Sequence, residues 1–500
     1  MKIIIPMTGK SKRFKEVGID MPKQFLEVEN KMIIEHVLDM FPDEEDISFI
    51  VSKDDMNNDD YVKNLNNFSD INIVVIDFQK TGPGGALIES KLLDTKEPVL
   101  INYCDFSNIW NWQKFKDFIQ VNNPDGVIPS YVGLHPHTVY GNDYAFLRTK
   151  NSNVLAIQEK KSFTTNKQNE YASTGTYYFK SGNLCQKYIK KTFEDKNFTN
   201  GEVYLSTPFQ YMISDGLNIK LYEVEKFFQW GTPEDYKEFI YNIDEVKNVK
   251  SNNRIDISDI NLCIPAAGES NRFKKENYKK SKIFLDVDGE SIIRTLIHSF
   301  KNAKTIKMLI QLKDFEENEF KDIKNLEVIE IQEKTKGQAE SAYKLIRSLE
   351  NSKPVLIHSS DCILDKKTLI EIKDFDIVVF TKKNYRRGYF NFSNYGWINS
   401  INGKIQSLSI KKKPKSLDSN IIIGTFLFKN KYVYEELYHE TVENNSNQKE
   451  IHIDHLVETG LNKNMNVLEI TSEQSVILGI PQEYELFKYM KHVYEYLVNK

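Results

Sequence analysis

The sequence predicts an α/β fold built from two tandem domains, each with a mainly parallel mixed sheet. The chain has 500 residues, which is too many for one ordinary hydrophobic core. Apolar strand-like runs alternate with segments of helical periodicity, as in sheets that are covered by helices on both faces. The first half of the sequence also recurs in the second half, which indicates duplication of a whole domain.

The repeat is carried by short motifs at a constant spacing. Residues 3–14 read IIIPMTGKSKRF, and residues 262–273, which lie 259 positions later, read LCIPAAGESNRF. Lys23 in PKQFLEV and Lys282 in SKIFLDV keep the same spacing of 259. So many ordered agreements predict two domains of similar fold.

The elements of each copy are predicted from apolar periodicity. Ligands of such sheets bind at the carboxyl ends of the strands. A polar, Asn-rich segment predicts a linker at 246–258, between a first domain at 1–245 and a second at 259–500. The predicted strands are 2–6, 48–52, 72–77, 98–102 and 126–130, then 261–265, 307–312, 326–331, 354–358 and 376–380, and helices are predicted near 32–41, 85–94 and 111–121.

Composition excludes several classes of protein. A net charge of -4 and a pI near 6.2 give no overall attraction to nucleic acid or to an anionic membrane. The four cysteines lack CxxC spacing, which argues against a structural zinc site and favours a reducing cytoplasm. The absence of an apolar run of about 18 residues predicts no membrane span. Homo-oligomerisation is left open by these features.

A glycine-containing turn follows the first predicted strand of each copy. Small residues there allow backbone N–H groups to approach a phosphate, and an arginine can add charge-assisted hydrogen bonds. An ordinary βα turn has the same pattern, so the turn alone does not distinguish the two interpretations. The candidate residues are Gly9, Ser11 and Arg13 in the first copy, and Gly268, Ser270 and Arg272 in the second.

The combination of this turn with a lysine ten residues after the arginine resembles the signature of the sugar-phosphate nucleotidyltransferases, which include nucleotide-sugar pyrophosphorylases and cytidylyltransferases. The resemblance covers 1–240 and, less closely, 260–490. It implies Rossmann-like domains of the GT-A-like type that use Mg²⁺. It assigns Arg13 and Lys23 to the triphosphate, Gly84 and Gly85 to the base, and Asp105 to Mg²⁺.

The resemblance also implies an acceptor site in each copy. A lysine would hold the acceptor phosphate, and carboxylates would take the sugar hydroxyls. In the first copy it assigns Glu159, Lys160, Glu170, Gly175 and Glu202. In the second it assigns Arg272 and Lys282 to catalysis, Gly268, Ser270, Gly337 and Gln338 to the nucleotide, Lys413, Gly424 and Glu450 to the acceptor, and Asp361 to Mg²⁺.

The chemistry of such a transfer fits these residue types. The acceptor phosphate is already an anion, so its attack needs no general base, and the obstacle is repulsion between two anions. Asp105 and Asp361 each follow a Pro-Val-Leu-Ile strand, where an N-cap would be the ordinary interpretation. Their recurrence favours a ligand role, since Mg²⁺ prefers hard oxygen ligands.

Two departures from the family pattern leave alternatives open. Gly231 and Gly479 stand where many relatives have a second metal aspartate, so Mg²⁺ would use one aspartate with water and phosphate, or Glu234 or Asp235 would substitute. The second copy pairs Lys412-Lys413 with Glu159-Lys160, which predicts a more basic pocket for a different substrate, or a copy that has lost activity.

The leading interpretation is transfer of a nucleotidyl group from a nucleoside triphosphate to a sugar phosphate or similar small molecule, with release of pyrophosphate, for capsule or lipooligosaccharide synthesis. One alternative is a GT-A type glycosyltransferase, which would normally show an Asp-x-Asp pair that is missing after Asp105 and Asp361. Another is a non-catalytic second domain that binds nucleotide or sugar.

Three smaller features have competing interpretations. His135 and His137 could form a lid over the acceptor, a metal site or part of a structural loop. Cys104 and Cys362 flank the two aspartates and are interpreted as small buried residues. The aromatic segment 484–497 has helical spacing and predicts a packing helix.

Overall fold

The computed structural model describes residues 1–499 except 78–79, 134, 136–143, 315–318, 369, 371–372, 384–391, 415 and 417–418. The chain divides into two compact units. Unit 1 comprises Met1–Tyr241 and Lys491–Lys500, and unit 2 comprises Asn242–Met490.

Unit 1 is a mixed α/β structure around one large sheet. The strands are β1 Lys2–Pro6, β2 Glu27–Val28, β3 Lys31–Met32, β4 Ile47–Ser52, β5 Asn72–Ile76, β6 Val99–Asn102, β7 Phe106–Ile109, β8 Gly126–Tyr131, β9 Phe146–Lys150, β10 Asn153–Gln158, β11 Tyr171–Ser173, β12 Thr176–Phe179, β13 Ile219–Glu223 and β14 Lys226–Gln229. The α-helices are Lys12–Glu16, Ile33–Leu38, Asp59–Leu65, Gly82–Ser90, Trp112–Asn122, Gly182–Glu194, Ser206–Ser214 and the first part, up to Tyr241, of Pro233–Lys250.

The large sheet of unit 1 has the strand order β11-β9-β10-β13-β8-β12-β6-β1-β4-β5. Strands β5, β4, β1 and β6 are parallel, whereas β12 runs antiparallel to both β6 and β8. Side chains of β1 alternate between two buried clusters, with Ile3 and Ile5 in one and Ile4 in the other. The apolar β1 is therefore buried on both faces, as a central parallel strand should be.

Unit 2 repeats this plan. Its strands are β15 Ile255–Asp256, β16 Asn261–Ala266, β17 Phe300–Lys301, β18 Ile306–Gln311, β19 Leu326–Ile331, β20 Val355–His358, β21 Cys362–Ile363, β22 Ile377–Lys382, β23 Gly396–Ile401, β24 Lys404–Ile410, β25 Asn420–Phe428, β26 Val467–Thr471 and β27 Val476–Ile477. Its α-helices are Asn271–Lys275, Ile292–His298, Gln338–Arg347, Lys431–Asn444, Ile453–Asn462 and Pro481–Val498. The large sheet has the order β19-β18-β16-β20-β25-β22-β26-β24-β23.

The predicted α/β fold with two tandem domains and mixed sheets is confirmed. The unit limits differ from the predicted domain limits in two places. Residues 246–250, placed in the linker, continue the helix Pro233–Lys250, whose first turns belong to unit 1. Residues 491–500, placed in the second domain, belong to unit 1. The segment 484–497 is helical as predicted, within Pro481–Val498.

Candidate active site

A cavity of about 720 Å³ opens in unit 1 at the carboxyl ends of β1 and β6. The first glycine turn and the segment around Asp105 lie at this edge because parallel strands end on the same side of a sheet. Its walls include nine of the predicted first-copy residues. These are Gly9, Ser11, Arg13, Lys23, Asp105, Glu159, Lys160, Gly175 and Glu202.

Lys23 and Asp105 form an ion pair in this cavity. The Lys23 Nζ lies 2.5 Å from the Asp105 Oδ2, and each side chain is 20% exposed. Burial lowers the pKa of the Lys23 ammonium, but Asp105 and Cys104 together raise it more, so the pKa of Lys23 stands above its ordinary value. The lysine is therefore a fixed positive charge at neutral pH.

Ser11 positions this lysine through its backbone. The Ser11 Oγ accepts a hydrogen bond from the Lys23 N–H at 3.2 Å, and Ser11 itself has φ of 49°. The turn thus fixes the start of the short 3-10 helix Lys23–Phe25. Ser11, which was expected to bind the nucleotide, also links the turn to the lysine.

Unit 2 contains the same arrangement. Lys282 Nζ forms an ion pair with Asp361 Oδ2, and the Lys282 N–H donates to the Ser270 Oγ at 3.1 Å. Burial raises the pKa of Asp361, but Lys282 and Ser359 lower it more, so its pKa falls below the ordinary value. Asp361 is therefore charged, and Ser270, with φ of 53°, has the backbone conformation of Ser11.

The predicted base-binding glycines lie inside a helix. Gly84 and Gly85 belong to the first turn of Gly82–Ser90 and are buried. A Cβ on Gly84 would stand 2.6 Å from Val203 Cγ1, so this glycine is required by packing. Gly82, with φ of 73°, is the glycine of this segment that lines the cavity.

Equivalent backbone hydrogen bonds show which residues of unit 2 correspond to this glycine segment of unit 1. Val203 N–H donates to Thr81 O at 2.9 Å, and Ile451 N–H donates to Lys336 O at 3.0 Å. Gly337, with φ of 130°, therefore takes the place of Gly82, and Gln338 opens the helix that follows.

Two of the predicted acceptor residues, Lys160 and Glu159, are neighbours in the lining of the unit 1 cavity. Lys160 Nζ donates to the Tyr204 OH at 3.2 Å and lies 4.6 Å from the centre of the Tyr204 ring. The Glu159 Oε2 accepts a 2.5 Å hydrogen bond from the Ser206 Oγ. Burial raises the pKa of Glu159, although Ser206 and Lys160 oppose this shift. A lysine and a carboxyl group therefore stand side by side at this wall.

Two glycines have the left-handed conformation at equivalent positions. Gly175 has φ of 100°, and its Cβ would stand 2.8 Å from Phe106 Cε1. Gly424 has φ of 77°, and its Cβ would stand 2.8 Å from Ser359 Cβ. Both lie against the segment that carries the aspartate.

The predicted acceptor carboxylates have different surroundings. Glu202 packs against Gly82 at the cavity wall, and Glu450 occupies the same place against Gly337. Glu170 instead accepts hydrogen bonds from the backbone N–H groups of Phe163 and Thr164 at 2.8 and 2.6 Å. The structure does not place Glu170 in the cavity lining, and these contacts fix a turn.

Lys411 of unit 2 occupies the position that Lys160 has in unit 1. Lys160 N–H donates to Tyr144 O, and Lys411 N–H donates to Tyr395 O, both at 3.1 Å. Lys160 and Lys411 also share a positive φ, of 54° and 50°. This register replaces the predicted pairing of Lys160 with Lys413, whose exposed ammonium lies 5.9 Å from the Phe392 ring centre.

The carboxylates fit a magnesium ion that completes its shell with substrate oxygens. Among the described residues there is no cluster of three or more His, Cys, Asp or Glu side chains that could hold a metal. A Cβ on Gly231 would stand 3.1 Å from Asp105 Oδ2, and one on Gly479 would stand 3.2 Å from Asp361 Oδ2. The glycines therefore keep the space beside each carboxylate clear for phosphate oxygens or water.

The proposed substitute ligands differ in their contacts. Asp235 lines the cavity, and its Oδ2 accepts a hydrogen bond from Thr232 Oγ1 at 2.8 Å. The structure does not place Glu234 in the cavity lining. In unit 2, Glu483 Oε2 accepts from the Gly479 N–H at 2.9 Å, so this carboxylate holds the closing turn.

His135 is a buried structural residue. It is 3% exposed, and its Nε2–H donates to Phe227 O at 2.9 Å. Burial lowers its pKa to about 3, so the ring is neutral. The lid and metal interpretations are wrong for His135, and His137 lies outside the described residues. The cysteines are buried as predicted, and burial raises the pKa of Cys104 to about 12.

Sequence reasoning missed several cavity residues. Tyr103, Tyr144 and Tyr204 line the cavity of unit 1 but belong to no motif. Lys411 was not distinguished from its neighbours Lys412 and Lys413. The pairing of Gly396 with Ile410 places Lys411 opposite Tyr395 and so identifies it.

A family model describes part of the chain. Residues 260–378 match the model of IspD, 2-C-methyl-D-erythritol 4-phosphate cytidylyltransferase. This match confirms the family resemblance predicted from the motifs, and it supports an enzyme of the nucleotidyltransferase class. No curated protein matches the chain.

Solved structures similar to the chain include a nucleoside-diphosphate-sugar pyrophosphorylase from Vibrio cholerae RC9. It is 20% identical with a TM-score of 0.40, and the match covers 45% of this chain and 98% of that one. The inositol-1-phosphate CTP transferase from T. maritima is 16% identical with a TM-score of 0.38, and the match covers 47% of this chain and 96% of that one.

Proposed function

We propose that the chain transfers a nucleotidyl group from a nucleoside triphosphate to a sugar phosphate or similar phosphorylated small molecule and releases pyrophosphate. The observation that carries the proposal is the lysine–aspartate pair that recurs as Lys23 with Asp105 and Lys282 with Asp361. Both pairs follow the same serine-anchored turn, which supports a shared chemical role.

Different residues of unit 1 bind the two anionic substrates. Arg13 and Lys23 neutralise the triphosphate, and Lys160, which lines the same cavity, holds the acceptor phosphate. Positioned cations lower the repulsion between the two phosphates, which is the main obstacle to the reaction. Glu159 and Glu202 are placed to accept hydrogen bonds from acceptor hydroxyl groups.

Asp105, and Asp361 in unit 2, would hold Mg²⁺ with one carboxylate each. When bound, this ion would supply Lewis-acid charge neutralisation at the phosphates, which favours departure of pyrophosphate. Lys23 then supplies a second positive charge beside the same carboxylate.

We place the reaction in the cytoplasm and propose a role in building precursors of surface polysaccharide, such as capsule or lipooligosaccharide. Nucleotide-activated sugars are the expected product. No helix among the described residues is both long and apolar enough to cross a membrane.

The test of the first site is Lys23→Ala in a chain that also carries Lys282→Ala. Pyrophosphate release is measured with four triphosphates against a panel of sugar phosphates and other phosphomonoesters. We expect turnover to fall by about 100-fold or more relative to Lys282→Ala alone, because a preorganised charge beside the reacting phosphates is lost. Circular dichroism and thermal unfolding check that the fold is kept.

Lys15→Ala is the matched control, since Lys15 is an exposed lysine of the helix Lys12–Glu16. It should leave turnover unchanged. Lower thermal stability of Lys23→Ala with normal turnover in the folded fraction would contradict the proposal. A chain that binds triphosphate and releases no pyrophosphate with any acceptor would be a binding module.

A further inference from the structure

The acceptor walls of the two units can be compared position by position. The contacts of Lys160 with Tyr144 and of Lys411 with Tyr395 align β10 with β24. Gly396 pairs with Ile410, and Phe146 pairs with Gln158, so Ala145 matches Gly396 and Glu159 matches Ile410.

The helices of the two walls align in the same way. Val203 and Ile451 make the same backbone contact with the preceding glycine segment. Ser206 and Asp454 each follow three residues later, at the start of the helices Ser206–Ser214 and Ile453–Asn462. Tyr204 therefore matches His452.

Three positions have changed together between the units. Unit 1 has a glutamate just after β10, a serine at the start of the helix and an alanine just before β9, namely Glu159, Ser206 and Ala145. Unit 2 has an isoleucine, an aspartate and a glycine there, namely Ile410, Asp454 and Gly396. The carboxyl group therefore lies just after a strand in unit 1 and on a helix in unit 2.

The glycine is a steric requirement of this exchange. A Cβ on Gly396 would stand 2.8 Å from Asp454 Oδ2 and 3.0 Å from Ile422 Cδ1. Alanine, which unit 1 has at this position, would therefore collide with the Asp454 carboxyl group. A coordinated change of three neighbours indicates a rebuilt pocket, because decay of a site would not conserve a carboxyl group and make room for it.

The rebuilt wall carries three further polar side chains. Lys411 follows β24, and the His452 and His455 rings stack 5.7 Å apart on the helix that carries Asp454. Within the part of the chain that the structure describes, the Asp454 carboxyl accepts no hydrogen bond, whereas Glu159 accepts one from Ser206. Asp454 therefore keeps its hydrogen-bonding capacity for a ligand.

We propose that unit 2 has its own acceptor site, in which Lys411 binds the phosphate and Asp454 selects a hydroxyl group at a position different from that selected by Glu159. The ligand class is a hydroxylated phosphomonoester, and the two units bind different members of it. This inference rests on the proposed function in one respect, which is that the acceptor is a phosphomonoester.

The test measures binding, so that it is separate from turnover. The full chain carrying Lys160→Ala reports the site of unit 2, and the chain carrying Lys411→Ala reports that of unit 1. Isothermal titration calorimetry with sugar 1-phosphates, polyol phosphates and ethyl phosphate gives an affinity order for each site. We expect the two orders to differ.

Asp454→Asn is then added to the Lys160→Ala chain. We expect the best hydroxylated ligand to bind about tenfold more weakly or worse, because a hydrogen bond to a charged carboxylate is replaced by a weaker one to a neutral amide. Ethyl phosphate, which has no hydroxyl group, should change by less than about twofold. Glu443→Gln, an exposed acid on the neighbouring helix, is the matched control.

A second variant carries Gly396→Ala, Ile410→Glu and Asp454→Ser together, which installs the unit 1 residues without the steric conflict. It should shift the affinity order of unit 2 towards that of unit 1. Identical orders at both sites, equal weakening of all ligands by Asp454→Asn, or no binding by unit 2 would overturn the inference. Binding of this pattern without pyrophosphate release would instead reject only the proposed function.

Discussion

The serine of each glycine turn positions the lysine of the candidate site. Ser11 and Ser270 adopt a left-handed backbone conformation and accept a hydrogen bond from the backbone of the following lysine. This conformation is uncommon for serine, so its recurrence indicates a local constraint. The constraint is the placement of Lys23 and Lys282 against an aspartate.

Asp454 should make the stability of the chain depend on pH. Burial raises its pKa to about 6, with Lys411 opposing the shift, whereas the pKa in the unfolded chain is about 4. The folded state therefore binds more protons, and the stability contributed by the protonated carboxyl is full below about pH 4 and is lost as pH rises through about 6.

Asp454→Asn removes this titration. The unfolding free energy of Asp454→Asn should equal that of the parent near pH 4 and exceed it by about 3 kcal/mol above pH 7. Thermal unfolding between pH 4 and 8 measures the difference. His452 and His455 titrate in both proteins, so they do not create it. A difference that is constant with pH would show that the Asp454 carboxyl does not titrate in this way.

The limits of the central strands were predictable because they depend on the local sequence. β1, β4 and β6 are continuous apolar runs bounded by polar turns, and their observed limits lie within a residue of those predicted. The antiparallel insertion of β12 between β6 and β8 was not predictable, because pairing is decided by contacts distant in sequence.

The glycine-rich segment shows where motif reasoning was limited. The helix begins at Gly82, whereas periodicity predicted its start at 85, because Gly84 and Gly85 carry no apolar signal. Position 84 needs a glycine because Val203 packs against it. Val203 is more than a hundred residues away in sequence and becomes a neighbour only in the folded chain. Lys23 and Lys282 were found because each lies ten residues after an arginine and just before an apolar stretch, and Asp105 and Asp361 because each comes shortly after an apolar strand.

Gly84→Ala and Gly9→Ala should separate packing from binding. Alanine at 84 would bring its Cβ to 2.6 Å from Val203 Cγ1, which should cost about 1–3 kcal/mol of unfolding free energy. A Cβ on Gly9 meets no atom within 4 Å, so Gly9→Ala should keep its stability. It should weaken triphosphate binding, because its methyl group enters the cavity.

Thermal unfolding and calorimetric titration with triphosphate measure the two effects. Equal loss of stability in both variants would mean that the glycine turn is primarily structural. Unchanged triphosphate affinity in Gly9→Ala would place the phosphates elsewhere in the cavity.

At the scale of the whole molecule, the two units share the glycine turn and the lysine–aspartate pair, whereas the residues around them differ. Lys10 in unit 1 forms ion pairs with Asp54 and Asp55, whereas its counterpart Glu269 pairs with Lys313 and Lys334. The charges of this contact are reversed, but the turn is held in the same place. Such compensated changes are expected when both copies are selected for a working site.

The central claim is that one lysine–aspartate arrangement, present twice, promotes attack of one phosphate on another. Pyrophosphate release by the full chain and by Lys23→Ala, Lys282→Ala and the double variant tests it most directly, using the same triphosphates and phosphomonoesters. Each single variant should lose turnover of a different set of acceptors, and the double variant should release no pyrophosphate above the rate without enzyme. A folded double variant that keeps the turnover of the parent would contradict the account.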